Sequence, residues 1–232
     1  MAKLIGRPME KSKLADQVLD QIMDWIMDGT LKMGDKLNTE ELARTLGISR
    51  MPVREAITAL EKKGLAVSTP YAGMKIVELS DSEVAEIYHI RQMLEPEAAY
   101  LACQRATEEE IAEIEGLYHA HAKAVSQPEL NGKEVHLCNR AYHMGIFRAS
   151  RMPHLCNMIE SLWDTLSFFN MIYGESLLVS DEGRKTLVEE HRRYLQCLKT
   201  RNGEAIRTGI YNGIAAKLNR FIDRKEEHRD RE

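Results

Sequence analysis

Apolar residues return along most of this chain with a helical period, and only one short stretch breaks the pattern. A helix is predicted over about 11–28, and Leu42, Ala43 and Leu46 predict a short one over about 39–46. Asn38 or Thr39 can cap that helix, and Gly47 ends it by tolerating a left-handed turn. Ser49 caps the next helix, whose Val53, Ala56, Ile57 and Leu60 form one apolar stripe. Two short strands follow at about 65–69 and 74–77, around Pro70-Tyr71-Ala72-Gly73. From Ser80-Asp81-Ser82 onward the period is helical throughout, with helices expected at about 81–103, 107–127, 131–150, 153–173, 180–200 and 202–226. Breaks fall at Gln127-Pro128, Arg151-Met152-Pro153 and Tyr173-Gly174-Glu175-Ser176. The expected architecture is mainly α, with a small helix-strand domain over 1–78 and an all-helical bundle over 79–232.

The first of these domains carries candidate chemistry on its polar face. Two helices across a glycine turn, followed by a Gly-tipped hairpin, have the form of a winged helix-turn-helix, which sets one helix in the DNA major groove. Opposite the apolar stripe of the second helix lie Arg50, Met51, Arg54 and Thr58. The fork of an arginine can bond guanine O6 and N7 together, and a helix N-terminus attracts phosphate. Pro52 falls in the first turn, where a missing N–H costs little. Ala72, Gly73 and Lys75 belong to the wing, near the backbone or minor groove. A charged helix face is otherwise a solvated face, and the ordered combination of elements is what favours DNA.

Charge changes the picture modestly. Residues 1–78 hold 12 Lys/Arg and 11 Asp/Glu, a balance of +1, and residues 79–232 hold 20 and 25, a balance of −5. Binding to nucleic acid would therefore rest on a few placed arginines and on dimer avidity. No apolar run is long enough to span a bilayer, and no signal-peptide pattern opens the chain, so a cytoplasmic protein is expected. Cys103, Cys138, Cys156 and Cys197 lack C-x-x-C spacing and read as reduced thiols within helices.

Polar residues recur where the bundle should be apolar. Asn139 and His143 are four apart and share a helix face, as do Arg91 and Glu95, and His191 lies among Leu187, Leu195 and Leu198. Such groups cost free energy unless paired, hydrated or bound to a ligand. Arg91 can meet a carboxylate through its fork or pair with Glu95. His119 and His121, two apart, face different ways and carry less weight; so does His136, and His89, His154 and His228 read as surface or boundary residues.

The run Gly34-Asp35-x-Leu37, Leu42-Ala43 and Gly47-Ile48-Ser49-Arg50-x-Pro52-Val53-Arg54-Glu55-Ala56 resembles the signature of the GntR family of bacterial regulators. The resemblance implies a dimer on a short palindromic duplex. It implies contacts from Ser49, Arg50, Met51, Pro52, Arg54, Ala72 and Gly73. Glu40 stands where some relatives carry arginine. The second half is similar to the FCD effector domain through Ile90-Arg91-x-x-Leu94-Glu95, Asn139-x-x-Tyr142-His143 and Glu190-His191. Many members of that group hold a divalent metal on one carboxylate and three histidines, which then receives a small carboxylate. Carried over, the carboxylate position is Asn139, two histidines are His143 and His191, and the last falls near Gly213, beside Asn212.

Three readings of the bundle follow. One is a divalent metal (zinc, nickel or manganese) on Asn139, His143 and His191, although two imidazoles and an amide make a poor zinc site. Another is a pair of hydrogen-bonded interior histidines. The third is a metal-free pocket for a small organic acid, lined by Arg91, Asn139, His143, Tyr173, His191 and Asn212. For the whole chain the expectation is a homodimeric, ligand-responsive repressor. The alternatives are a constitutive DNA-binding regulator with a structural bundle and, from another class, a metal-dependent enzyme fused to a DNA-binding module. No nucleophile-base-acid set or phosphate-cradling glycine loop supports the enzyme.

Overall fold

A computed structural model describes the backbone of residues 13–27, 30–69, 73–173 and 180–229, and the side chains of 14–26, 30–69, 73–166 and 180–223. Chain contacts divide it into two compact units, Met1–Glu78 and Leu79–Glu232.

In the first unit, α1 (Lys13–Met27) buries Val18, Ile22 and Ile26 at helical spacing and packs against α3. Helix α2 (Thr39–Leu46) is capped by Asn38, whose side-chain oxygen accepts the N–H groups of Glu40 (2.9 Å) and Glu41 (3.3 Å). Gly47 ends it at φ 65°, in the left-handed region, and Ile48 N–H bonds back to Ala43 at 3.0 Å. That turn leads into α3 (Arg50–Lys62), which buries Pro52, Val53, Ala56, Ile57 and Leu60. Strands β1 (Ala66–Thr69) and β2 (Gly73–Ile76) pair antiparallel, from Ala66 opposite Ile76 to Thr69 opposite Gly73. The chain at 34–37 runs along the other edge of β2: Leu37 N–H reaches Met74 O at 2.8 Å and Ile76 N–H reaches Asp35 O at 2.9 Å. This pairing has no alternating side-chain pattern, so periodicity does not reveal it.

The second unit is helical among the described residues. Helix α4 (Asp81–Arg105) starts at a capping box in which Ser80 and Glu83 bond each other's backbone N–H. It is followed by α5 (Glu108–Val125), α6 (Gly132–Arg148), α7 (Pro153–Tyr173), α8 (Asp181–Lys199) and α9 (Gly203–Arg229). Helix α4 packs along α9, α7 and α6, while α5 packs on α6 and α8. The core runs through Ala98, Ala102, Ile114, Tyr142, Ile146, Phe147, Ile159, Trp163, Leu166, Leu198 and Ile210. No described helix is long and apolar enough to cross a membrane.

Candidate functional site

The apolar stripe of α3 decides what its other face presents. Burying Pro52, Val53, Ala56 and Ile57 leaves Arg50, Met51 and Arg54 exposed, with Met51 at 68%. Ser49 is also exposed and sits at the cap position, but its hydroxyl makes no capping bond. Arg50 Nη2 donates to Glu40 Oε1 on α2 at 2.6 Å. Pro52, expected to meet DNA as well, is buried in α3 in phase with Val53 and Ala56. On the wing, Gly73 is exposed and Lys75 half-buried, while Ala72 lies outside the described residues.

In the bundle, α4, α5, α6, α7 and α8 bring polar side chains into one interior cluster. Arg91 is 1% exposed; its Nε donates to Glu95 Oε1 at 2.5 Å, and its guanidinium lies 4.6 Å from the Trp163 ring. Trp163 Nε1–H donates to the same carboxylate at 2.7 Å. Glu95 thus takes two of the bonds that Arg91 could have offered a ligand, and Arg91 Nη1 is left without a partner among the described residues.

The histidines can be assigned proton by proton. His191 Nδ1 lies 2.7 Å from Leu187 O, which can only accept, so Nδ1 carries the hydrogen. In the neutral ring Nε2 is then a lone pair. His143 Nε2, 3.1 Å away, must donate to it. His143 Nδ1 becomes a buried acceptor with no donor among the described residues. Asn139 Oδ1 lies 2.9 Å from the same His191 lone pair, so the pair is favourable only with the amide turned to present its NH2. Burial, followed by the positive charges around it, holds His143 well below the usual range. Burial pushes His191 down to about 4 despite its bond to Leu187, with Lys217 adding to the effect. All these rings are neutral near pH 7.

Sequence reasoning set aside one member of this cluster. His121 is 0% exposed, its ring centroid lies 4.4 Å from that of His191, and neither ring nitrogen has a hydrogen-bond partner among the described residues. Burial, then His191 and Lys217, pushes it down to about 3. The signal was its phase: Ile111, Ile114, Tyr118, His121 and Val125 form one buried stripe of α5. His119 is exposed, as its offset of two requires. His136 is half-buried and held to about 4 by burial, Arg140 and Lys217.

Two expected lining residues are not brought in. Asn212 is exposed on α9, out of phase with the buried Ile210 and Ile214. The side chain of Tyr173 lies outside the described residues. At Gly213, an added Cβ would collide with Glu190 Oε1 and approach Tyr194 Oη within 2.9 Å. The space a histidine would need there is filled by the Glu190–Tyr194 pair.

That arrangement does not fit a tightly held metal. The converging donors are two imidazoles and an amide, and the His121 ring lies tilted against His191 with no hydrogen bond from either nitrogen among the described residues. Among the described residues no group of three His, Cys, Asp or Glu side chains could hold a metal ion.

A capped helix, a glycine turn, a second helix with exposed arginines and a two-stranded wing define a winged-helix DNA-binding protein, here followed by a helical bundle with a polar interior. The family model for bacterial regulatory proteins of the gntR family matches residues 14–76, and the FCD domain model matches 86–216. The chain is 32% identical over 182 residues to the HTH-type transcriptional regulator YdhC of Bacillus subtilis, covering 78% of this chain and 79% of that one. It is 34% identical over 135 residues to the regulator McbR of Escherichia coli, covering 58% and 60%. The solved structure of E. coli McbR/YncC superposes with a TM-score of 0.71 at 27% identity, covering 93% of this chain and 100% of that one. The chain belongs to the GntR family and is a DNA-binding transcriptional regulator with an FCD domain in its second half.

Proposed function

We propose that the protein is a homodimeric repressor that binds a short palindromic operator through residues 1–78 and answers a small organic acid through residues 79–232. Ser49, Arg50, Met51 and Arg54 meet the major groove, and the wing, with Ala72, Gly73 and Lys75, meets the backbone or minor groove. Arg91, Asn139, His143, His191 and His121 receive the effector. Repression is the economical reading, because occupancy of an operator alone blocks transcription.

One observation carries the effector site. Four buried side-chain nitrogen or oxygen atoms lack a partner among the described residues, namely Arg91 Nη1, His143 Nδ1 and both ring nitrogens of His121, and all belong to this cluster. Each unpaired buried group costs about 1–3 kcal/mol. A bundle that served only as a scaffold would gain by replacing them with apolar groups. An anionic ligand suits the neighbourhood, because Arg91 and Lys217 act on His143 as positive charges. An effector that favours one dimer arrangement then changes the spacing of the recognition helices.

A titration of the full chain with its operator and a panel of organic acids tests this. Arg54→Ala is expected to weaken operator binding by about 1–3 kcal/mol. His143→Ala is expected to leave operator binding intact while abolishing release by the acid and its thermal stabilisation. If no acid shifts either quantity and His143→Ala only unfolds the bundle, the cluster is an interior hydrogen-bonded core and the regulator is constitutive.

A further inference from the structure

Lys36 stands directly opposite Lys75 on the edge of the wing. Leu37 N–H bonds Met74 O and Ile76 N–H bonds Asp35 O, so the two lysines are enclosed between these bonds. In an antiparallel ladder this is the position where opposed residues come closest, with Cα atoms about 4.5 Å apart, and their side chains leave the same face. The row continues to Val67, which opposes Lys75 on β1. Lys36 is exposed and Lys75 half-buried, and neither forms an ion pair among the described residues. Two carboxylates close in sequence are turned elsewhere: Asp35 Oδ2 accepts the Lys32 N–H at 2.7 Å, and Glu78 lies against Gly34. Like charges set opposite each other destabilise a sheet. Residues 1–78 balance at only +1, so two lysines meeting without an acid are not the by-product of a basic domain.

An anion between the two ammonium groups would relieve that repulsion, and position selects which anion. Lys36 comes two residues before Asn38, the cap of α2, so about 7 Å of extended chain separates it from that helix. The first turn of α2 is tied to the start of α3 by Glu40 and Arg50 at 2.6 Å. Lys75, Lys36, the start of α2 and the start of α3 therefore follow one another from the wing to the recognition helix. A phosphate backbone is a row of anions that borders the groove such a helix enters. An ammonium is a compact point charge, suited to a phosphate oxygen and indifferent to the base beside it.

We propose that Lys36 is a further DNA-binding residue, which with Lys75 forms a two-lysine clamp on a backbone phosphate of the duplex that receives α3. The inference rests on the proposed docking of α3 and the wing. The clamp adds affinity without reading sequence, and it places a like-charge pair in the free protein that DNA neutralises.

Fluorescence anisotropy with the full-length protein tests it, using an operator isolated by selection from random duplexes and a scrambled duplex of the same length, each across a salt series. Lys36→Gln is expected to weaken binding to both duplexes by about 3- to 10-fold for each protomer bound, with the salt slope shallower by about one per protomer. Lys36→Arg keeps the charge and is expected to keep the slope. Lys62→Gln removes the same charge from the far end of α3, where Lys62 is also exposed, and is expected to move binding much less. The thermal midpoint of Lys36→Gln should not fall, because the substitution removes a repulsion. The proposal is overturned if Lys36→Gln leaves affinity and slope unchanged, if Lys62→Gln matches it, or if the loss is confined to the operator. It is also overturned if Lys36→Arg loses as much as Lys36→Gln, or if weaker binding comes with a lowered midpoint. Arg54→Ala tests the underlying docking: unchanged operator affinity there defeats the placement of α3, whereas lost affinity there with none in Lys36→Gln defeats only the clamp.

Discussion

Arg50 and Arg54 stand exposed on α3, and the only carboxylate that pairs with either among the described residues is itself exposed. Arg91 on α4 is 1% exposed, fastened to a carboxylate as buried as itself and set against the face of Trp163. The same side chain serves opposite ends in the two units. On α3 its charge is in water, costs little to maintain and is available to a large anion. In the bundle its charge is desolvated, and it persists because Glu95 neutralises it. Function on the first unit can be altered with little effect on folding, whereas in the second unit the residues nearest the candidate effector site also hold the core together.

The sharpest way to break this contrast is to remove Glu95. Glu95→Ala leaves Arg91 charged and buried and takes the acceptor from Trp163 Nε1–H. The expected loss is about 3–5 kcal/mol of bundle stability, read from urea unfolding followed by circular dichroism. Glu40→Ala, which breaks an exposed pair, should change stability by less than about 1 kcal/mol in the same measurement. Similar losses for the two would mean that burial does not distinguish them.

A second test uses acid. His121 and His191 have folded values of about 3 and about 4, below the ordinary 6.5, because burial disfavours the charged ring. The unfolded chain takes up these protons first. The stabilisation is therefore complete above 6.5 and is lost as pH falls toward the folded values, at up to about 1.4 kcal/mol per pH unit for each ring. The melting temperature of the bundle should fall between pH 6.5 and 4.5, and His121→Phe should flatten that slope. Lys217 reinforces the effect on both rings. A melting temperature independent of pH over this window, or a slope that His121→Phe leaves unchanged, would contradict the assignment of buried neutral rings.

How far the sequence carries this contrast follows from where each signal lies. The helices, the caps at Asn38 and Ser80 and the turn at Gly47 are local, so period and residue type locate them. The interior cluster depends on residues far apart in sequence, and spacing alone exposes only Asn139 with His143 and Arg91 with Glu95. One misreading has a plain cause. His121 carries little weight when judged by its offset from His119, yet it lies in phase with the apolar stripe of its own helix. Phase decides burial, and burial decides whether a histidine can meet its partners; the GntR resemblance that implies a DNA contact from Pro52 carries no such phase information, and Pro52 too lies in phase with the stripe of α3. The filling of the space beside Gly213 by Glu190 and Tyr194 is a contact between α8 and α9 that no local pattern encodes.

The smallest expected effect separates two cap positions within the first unit. Asn38 and Ser49 precede successive helices with extended backbones, but only Asn38 spends its side-chain oxygen on backbone N–H groups. Asn38→Ala should therefore cost about 1 kcal/mol of stability, while Ser49→Ala should cost less than about 0.5 kcal/mol. For operator binding the order should reverse. The Ser49 hydroxyl is exposed beside the first turn of α3, where the N–H groups and the helix dipole already favour a phosphate, so its removal takes away a donor available to DNA. Melting temperature and anisotropy on the two variants decide the matter. If Ser49→Ala proves as destabilising as Asn38→Ala, its hydroxyl is a helix cap in solution. The exposed face of α3 would then be partly occupied with its own folding, as the buried face of α4 is.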